Sequence, residues 1–422
     1  MADIIPFKGI LYNPEKVDAS LTVAPPYDIV SPEHKEELYN QDPHNIIRID
    51  FGKDGDDDDE NENRYTRAAG FLEGWRKDRV LLQDREPAYY CYEIHYEIDG
   101  ALKKTRGFLG AVKIEELGSG RIHPHEMTYS KPKSDRLNIL RYCQANTSPI
   151  FSLYSSREKL TSSLLDTVSR EKPYIEASTA DGFTHRLWRI DSADFIEKIT
   201  EEMADKDIFI ADGHHRYETA LAFRKEMEEK GLCVTGQEPF NYVLMFLSNM
   251  EDEGLTLLPT HRIVEIDSDI NIKETLLQHF TLEKVSADDM SEDDARRQML
   301  ERMRGARHSF GMFLTNTGSY YTLSFNGSMV DMDMPACLKT LDVSVLHKYV
   351  FEHLLNITHY EYEMDPQLAV ERAKKGSFEA VFFLNSTRIQ DLKEVALAGQ
   401  RMPPKSTYFY PKLLTGMVIY KF

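Results

Sequence analysis

The stretch "IFIADGHHRYETALAFRKEMEEKG", residues 208–231, restricts the fold more than any other part of the chain. Ile208-Phe209-Ile210-Ala211 has the β-branched and aromatic make-up of a buried strand. From His215 onward helix formers dominate, and Ala220, Phe223 and Met227 recur at helical spacing. The turn between strand and helix needs only Gly213, yet Asp212, His214, His215 and Arg216 surround it. A helix N-terminus offers N–H groups and a partial positive charge, which together favour anions. Gly213 lets the backbone approach a bound group, and Arg216 supplies a planar fork suited to phosphate oxygens. Asp212 beside a phosphate is repelled unless a cation such as Mg²⁺ lies between them. Phosphate plus magnesium therefore accounts for the whole group. The alternative is an Asp212 N-cap with histidines bonded to loop carbonyls.

A chain of 422 residues is long enough for two lobes. We expect an α+β protein with mixed sheets, divided into residues 1–155, which carry "APPYD" and the "HPHE"/"KPKSDR" cluster, and residues 156–422. Ser31-Pro32-Glu33 reads as a helix start, "NIIRIDFG" as a strand, and residues 64–79 as an amphipathic helix. "AYYCYEIHYEIDGALKKTRGFLGAVKI" alternates like antiparallel strands, with Asp99-Gly100 as a hairpin turn. "NYVLMFLSNM" and "LTLLPTHRIVEI" read as two further strands. Asp54 to Glu62 is an acidic run expected to be a solvated loop. The net charge of −19 argues against a nucleic-acid partner, which needs Lys and Arg against phosphates. A small anion remains compatible if basic groups gather locally. No apolar run approaches the ~20 residues that cross a bilayer, so no membrane partner is expected. The start of the chain lacks the pattern of a signal peptide. Cys91, Cys143, Cys233 and Cys337 are scattered and read as free thiols, and the expected location is cytoplasmic.

Three further groups of residues carry candidate chemistry. His123, His125, Glu126, Lys131, Lys133, Arg136 and Arg141 lie within "HPHEMTYSKPKSDRLNILR". The histidines flank a proline and lack the helical spacing of a zinc-binding HExxH, while Lys131, Arg136 and Arg141 read as an anion clamp. Arg136 and Arg141 equally suit the solvent face of a helix. Lys405-Ser406-Thr407, with Lys412 nearby, resembles the end of a P-loop in residue type only, because prolines replace the glycines. It is a candidate phosphate contact rather than a Walker motif. In "APPYD" the two prolines and Tyr27 either form a rigid turn or fix Asp28 as a base or ligand.

"VAPPYD", "HPHEMTYSKPKSDRLNILR", "NTSPIFSLY", "ADGHHRYETAL", "LLPTHR" and "MPPKSTYFYPK" occur in this order. By these motifs the chain is identified as a member of the bacterial domain-of-unknown-function family 1015. The turn also resembles the ParB/sulfiredoxin superfamily, which includes kinases of free L-serine. There a strand leads into a G-x-x-R or G-x-H-R turn that holds nucleotide phosphates. Gly213, His215 and Arg216 match that pattern, and Asp212 matches the acidic residue before the glycine in the serine kinases. His214 stands where sulfiredoxin has its cysteine, which removes sulfiredoxin chemistry.

The resemblance implies a ParB/sulfiredoxin-like core with a second α/β lobe, and a kinase that phosphorylates a free amino acid, serine favoured. The donor would be ATP, ADP or pyrophosphate, with Mg²⁺. In that reading Asp212 binds the metal or acts as base, while Gly213, His214, His215 and Arg216 cradle the donor phosphates. Lys131, Arg136, Arg141, Lys405, Ser406 and Thr407 contact or neutralise phosphate, and Glu126 or Asp28 takes the hydroxyl proton. Two alternatives are a metal-dependent phosphatase or phosphodiesterase and a non-catalytic nucleotide sensor.

Overall fold

Alternation between Tyr89 and Lys113 builds the longest hairpin of the chain, β1 (Tyr89–Ile98) and β2 (Ala101–Lys113). Asp99 and Gly100 both take positive φ, +52° and +73°, as a two-residue primed turn requires, and Ile98 faces Ala101. The computed structural model describes residues 3–127, 130–267, 269–285, 290–326 and 334–422, and side chains throughout these except at 130–132. It divides the chain into two compact units. One holds Met1–Pro124, Thr128–Thr256 and Pro411–Phe422; the other holds His125–Met127 and Leu257–Tyr410. This differs from a boundary after residue 155.

The reason lies in the sheet of the first unit. Its remaining strands are β3 (Ile122–His123), β4 (Ile150–Tyr154), β5 (Ile175–Ser178), β6 (Thr184–Ile190), β7 (Ile208–Asp212) and β8 (Tyr242–Asn249). Their order is β3-β7-β4-β8-β2-β1-β6-β5, and Ile4–Ile5 adds to β2. A cut at 155 would separate β4 from both neighbours. β4 runs antiparallel to β7 and parallel to β8, so the sheet is mixed. Every residue of β8 is buried, which explains its nearly unbroken apolar sequence.

Helices cover this sheet and its flank: α1 (Pro32–Gln41), α2 (Ile47–Asp50), α3 (Arg64–Lys77), α4 (Ser130–Cys143) and α5 (His214–Glu229). Ser31 caps α1 by accepting from the His34 N–H. The expected strand "NIIRIDFG" is instead the short helix α2. Asn45 decides this: its side chain accepts from the Ile47 N–H and donates to the Leu21 and Val23 carbonyls. That anchor places Ile46, Ile47 and Ile49 in one core cluster, whereas a strand would turn neighbouring side chains to opposite faces.

"LTLLPTHRIVEI" breaks at Pro259 into Thr256–Leu258 and β9 (His261–Val264), the latter in the second unit. The other strands of its sheet are β10 (Phe280–Val285), β11 (Ser309–Leu314), β12 (Ser319–Phe325), β13 (Tyr360–Glu363) and β14 (Ala380–Phe383). They run antiparallel throughout in the order β10-β12-β11-β14-β9-β13. Its core joins Ile263, Phe313, Val381 and Phe383 to Met299, Val370 and Ala373 of covering helices. Helix α6 (Ile389–Leu397) completes the elements used below. The fold is therefore mixed α/β with mixed sheets in the first unit and a second α/β unit.

Candidate functional site

Strand β7 is buried from Ile208 to Ala211, and its register on β4 shifts between Ile210 and Asp212. Such an irregularity re-aims the side chain at the strand end. Gly213 follows at φ +95°, a conformation that L side chains rarely adopt, and is the N-cap of α5. A Cβ there would stand 2.9–3.0 Å from the Arg216 guanidinium. Arg216 folds back over the turn: Nη1 donates to Ser148 Oγ at 2.6 Å and to the Pro149 carbonyl. Its Nη2 lies 3.6 Å from Asp212 Oδ2. Lys412 Nζ approaches the same oxygen at 3.1 Å, and the Gly213 N–H donates to Asp212 Oδ1 at 2.9 Å.

Asp212 is thus not the N-cap. It is a mostly buried carboxylate bracketed by two mostly buried cations. Lys412 supplies a cation of the kind that a carboxylate beside a phosphate requires. Among the described residues two cations face this one carboxylate at the start of α5, where the helix dipole adds positive potential. His214 is buried at the first position of α5, and the half-buried His215 accepts from Thr219 Oγ1 at 2.6 Å through its carbonyl. Among the described residues no group of three His, Cys, Asp or Glu side chains gathers as a metal site.

Behind the turn lies Arg136 on α4. Its Nη1 is 3.1 Å from Asp50 Oδ1, its Nη2 donates at 2.6 Å to Asp135 and to the Asp50 carbonyl, and it stacks 4.0 Å from the Tyr27 ring centroid. Burial opposes its charge, but Asp50 and Asp135 prevail and hold its pKa above the ordinary arginine value. Burial pushes Tyr27 up to about 12, against the pull of Arg136 and Arg216. Thr147 Oγ1 donates to Asp50 at 2.6 Å, and Asp50, Arg136, Thr147, Ser148 and Arg216 line a cavity of about 40 Å³, room for water only. The first unit therefore brings "APPYD", "KPKSDR", "NTSP" and "DGHHR" together.

These contacts alter several expected roles. Arg136 is committed to two carboxylates and supports the turn from behind. Arg141 pairs with Glu226 of α5, its Nε at 3.0 Å, on the exposed side of the two helices. Lys133 pairs with Glu218. The side chain of Lys131 lies outside the described residues. Asp28 is exposed in the short turn Tyr27–Ile29, and its carboxylate makes no hydrogen bond or ion pair among the described residues. His123 is bonded to Asp207 at 2.9 Å and stacked on Phe209.

In the second unit Glu126 Oε1 accepts from the Lys405 N–H at 3.0 Å. Lys405 is exposed with φ +57°, and its carbonyl accepts from Arg262 at 3.1 Å. Ser406 and Thr407 are buried; Ser406 Oγ donates to the Pro403 carbonyl at 2.5 Å, and Thr407 Oγ1 pairs with His125 Nε2 at 2.8 Å. The two hydroxyls are thus engaged within their own unit. Sequence alone assigns no role to Ser148 or Asp50, and to Tyr27 only that of shaping the turn before Asp28. Ser148 and Tyr27 are signalled only by the motifs "NTSPIF" and "VAPPYD", and Asp50 lies in the segment whose β-branched residues predict a strand.

The family model described as "Protein of unknown function (DUF1015)" matches residues 4–344. A comparison with curated proteins gives no match. Among solved structures, the chain is similar to a free serine kinase in complex with AMP, at 13% identity and a TM-score of 0.31, over 72% of this chain and 98% of that one. It is similar to SbnI with C-terminal truncation from Staphylococcus aureus, at 10% identity and a TM-score of 0.34, over 73% and 85%. A conserved hypothetical protein from Pyrococcus furiosus matches at 13% identity and a TM-score of 0.31, over 68% and 87%.

Proposed function

The chain belongs to the DUF1015 family of proteins of unknown function, and we propose that it is a small-molecule phosphotransferase, transferring phosphate from a nucleotide or pyrophosphate to the hydroxyl of a free amino acid, serine favoured. The observation that carries this reading is the Asp212–Gly213 turn, where Lys412 and Arg216 both face one carboxylate at the start of α5. Phosphoryl transfer asks little covalent chemistry of a protein and mostly positioning and charge neutralisation. The acceptor oxygen forms its bond to the donor's terminal phosphorus while the bridging P–O bond breaks, its electron pair leaving with ADP, AMP or phosphate according to whether the donor is ATP, ADP or pyrophosphate.

In this reading the backbone at Gly213 and the α5 N-terminus receive the donor phosphates, because only a residue without Cβ leaves Arg216 in place over the turn. Lys412, with a single ammonium on a flexible stem, swings from Asp212 to phosphate as the ligand arrives. Arg216 stays tied to Ser148 and Pro149 and contributes charge rather than a free fork. Asp28, exposed and without a competing partner among the described residues, is the better candidate to take the hydroxyl proton than Glu126, whose carboxylate holds the Lys405 N–H. Magnesium fits on one condition. Asp212 is a single carboxylate, so it would hold Mg²⁺ only together with phosphate oxygens, which is this ion's usual habit. When bound, the ion would neutralise charge on the donor.

The test is calorimetric titration of the protein with ADP and with pyrophosphate, with and without Mg²⁺. It is followed by ³¹P NMR of mixtures containing ATP, ADP or pyrophosphate and single amino acids. The expected result is saturable binding and a new phosphomonoester resonance with at least one amino acid. Absence of binding to every donor refutes the phosphate turn. Binding without transfer to any acceptor assigns the turn to a nucleotide sensor.

A further inference from the structure

Arginines and lysines are outnumbered on this chain, which carries −19 overall, yet three arginines converge on one cleft of the second unit. The cleft encloses about 250 Å³ between the loops at 304–307, 340–343 and 385–391. All of its lining belongs to that unit, so the inference stands apart from the phosphate turn.

The first loop is held in a fixed shape. Gly305 turns at φ +70° and His308 at φ +53°. Asn385 Nδ2 donates to the Met303 and Ala306 carbonyls at 2.8 and 3.1 Å, and its Oδ1 accepts from the Gly305 N–H at 3.3 Å. One side chain thus fastens both ends of the turn that presents Arg304 and Arg307.

The charges are unequally matched. Arg307 Nη2 lies 3.3 Å from Asp391 Oδ1. Among the described residues the Arg388 guanidinium donates only to the Gly305 carbonyl, at 3.1 Å, its backbone N–H bonds Asp391, and the Arg304 guanidinium makes no hydrogen bond or ion pair. Among the described residues Arg304 therefore lacks a carboxylate in the cleft, while Arg388 shares Asp391 with Arg307 through charge alone, without an ion-pair contact. The two acidic groups present are occupied: Asp391 by Arg307, and Asp342 by the His308 N–H at 2.7 Å. The Asp391 side chain in the wall of the cleft is mostly buried, and this burial holds its carboxyl above the usual range despite Arg307 and Arg388. An arginine pair beside such a wall attracts an anion more strongly than the same pair in open solvent.

We propose that this cleft is a binding site for a small phosphate monoester. Arg304 and Arg388 hold the phosphate through their planar forks, and the Asp342–Asp391 side accepts hydrogen bonds from hydroxyl or amino groups on the organic part. A free phosphate would use the first feature only. Thr387, in the wall of the cleft, donates to the Ser406 carbonyl at 2.8 Å and so links the site to the Lys405–Thr407 segment.

Calorimetry at constant ionic strength with glycerol 3-phosphate and with inorganic phosphate tests this, on the wild type and on Arg304→Gln, Arg388→Gln and Arg216→Ala. The expected result is saturable binding of the ester, tighter than that of inorganic phosphate. Arg304→Gln and Arg388→Gln should each weaken it about tenfold or more, while Arg216→Ala leaves it unchanged. The Arg304 guanidinium has no bond to lose among the described residues, so its variant folds as the wild type does. Ester binding insensitive to Arg304→Gln, or none at all, overturns the site. Equal affinity for inorganic phosphate overturns the assignment to an ester, and loss of binding in Arg216→Ala transfers it to the phosphate turn.

Discussion

Asp212 faces two cations at unequal distances, and the inequality makes their roles separable. Lys412→Met removes the nearer cation while Arg216 still faces the carboxylate; we expect stability to fall by about 1.5–3 kcal/mol, the scale of a lost hydrogen bond to a charged group. If Lys412 meets phosphate, affinity for ADP or pyrophosphate falls about tenfold or more in that variant, the worth of one charged hydrogen bond. Asp212→Asn keeps an acceptor for the Gly213 N–H but leaves two cations opposed. It should lower the melting temperature more than Lys412→Met does, and abolish transfer if Asp212 holds magnesium. Calorimetry and thermal melts of both variants decide the matter: a Lys412→Met protein that binds like the wild type confines Lys412 to a structural role.

The strand–turn–helix unit β7–α5 also shows what is legible at the scale of elements. Its strand is an unbroken apolar run and its helix repeats apolar residues at 3.6 spacing, so both declare themselves locally. The same logic fails at Ile47–Asp50, because β-branched residues favour a strand until Asn45 anchors them from Leu21 and Val23. It fails again at the arginines of α4, whose partners Asp50 and Glu226 are remote in sequence. A glycine in the turn is legible, though not the reason for it: the guanidinium of Arg216 occupies the space of a side chain. Gly213→Ala should therefore cost well over the ~1 kcal/mol of an ordinary helix-terminal change, since positive φ and the clash add. It should also displace Arg216 from Ser148. A melting temperature equal to that of the wild type refutes this account of the turn.

Over the whole molecule, buried neutral histidines set the response to acid. Burial lowers His185 and His261 to about 3, with Arg262 also acting on His261, and it lowers His347 to about 2, again with Arg262 beside it. Each binds its proton more weakly folded than unfolded, so its contribution is complete above pH about 6.5 and drains as pH falls toward 3. Each should steepen the loss by about 1.4 kcal/mol per pH unit below that point. Urea unfolding at pH 7, 6 and 5 should show it, and a His185→Asn variant should give a shallower slope; an unchanged slope refutes the assignment. The division into units is the least legible feature, because the last twelve residues belong with the first. Ile419 exchanges backbone bonds with Ile10, Thr415 with Ala24, and Tyr420 pairs with Asn146. Deleting residues 411–422 should accordingly unfold the first unit although it leaves the Asp212 turn in the chain, and retained melting of that unit would contradict this.

The 200 positions between Asp212 and Lys412 carry a consequence in time. At about 5–20 residues per second a ribosome needs about 10–40 s to travel from one to the other. Throughout that interval the nascent chain holds the glycine turn and its arginine but lacks the ammonium that completes the charge pattern and the strand that closes the unit. The charge pattern at the Gly213 turn is therefore completed only after Lys412 has been made, and a translation product truncated before it lacks that pattern.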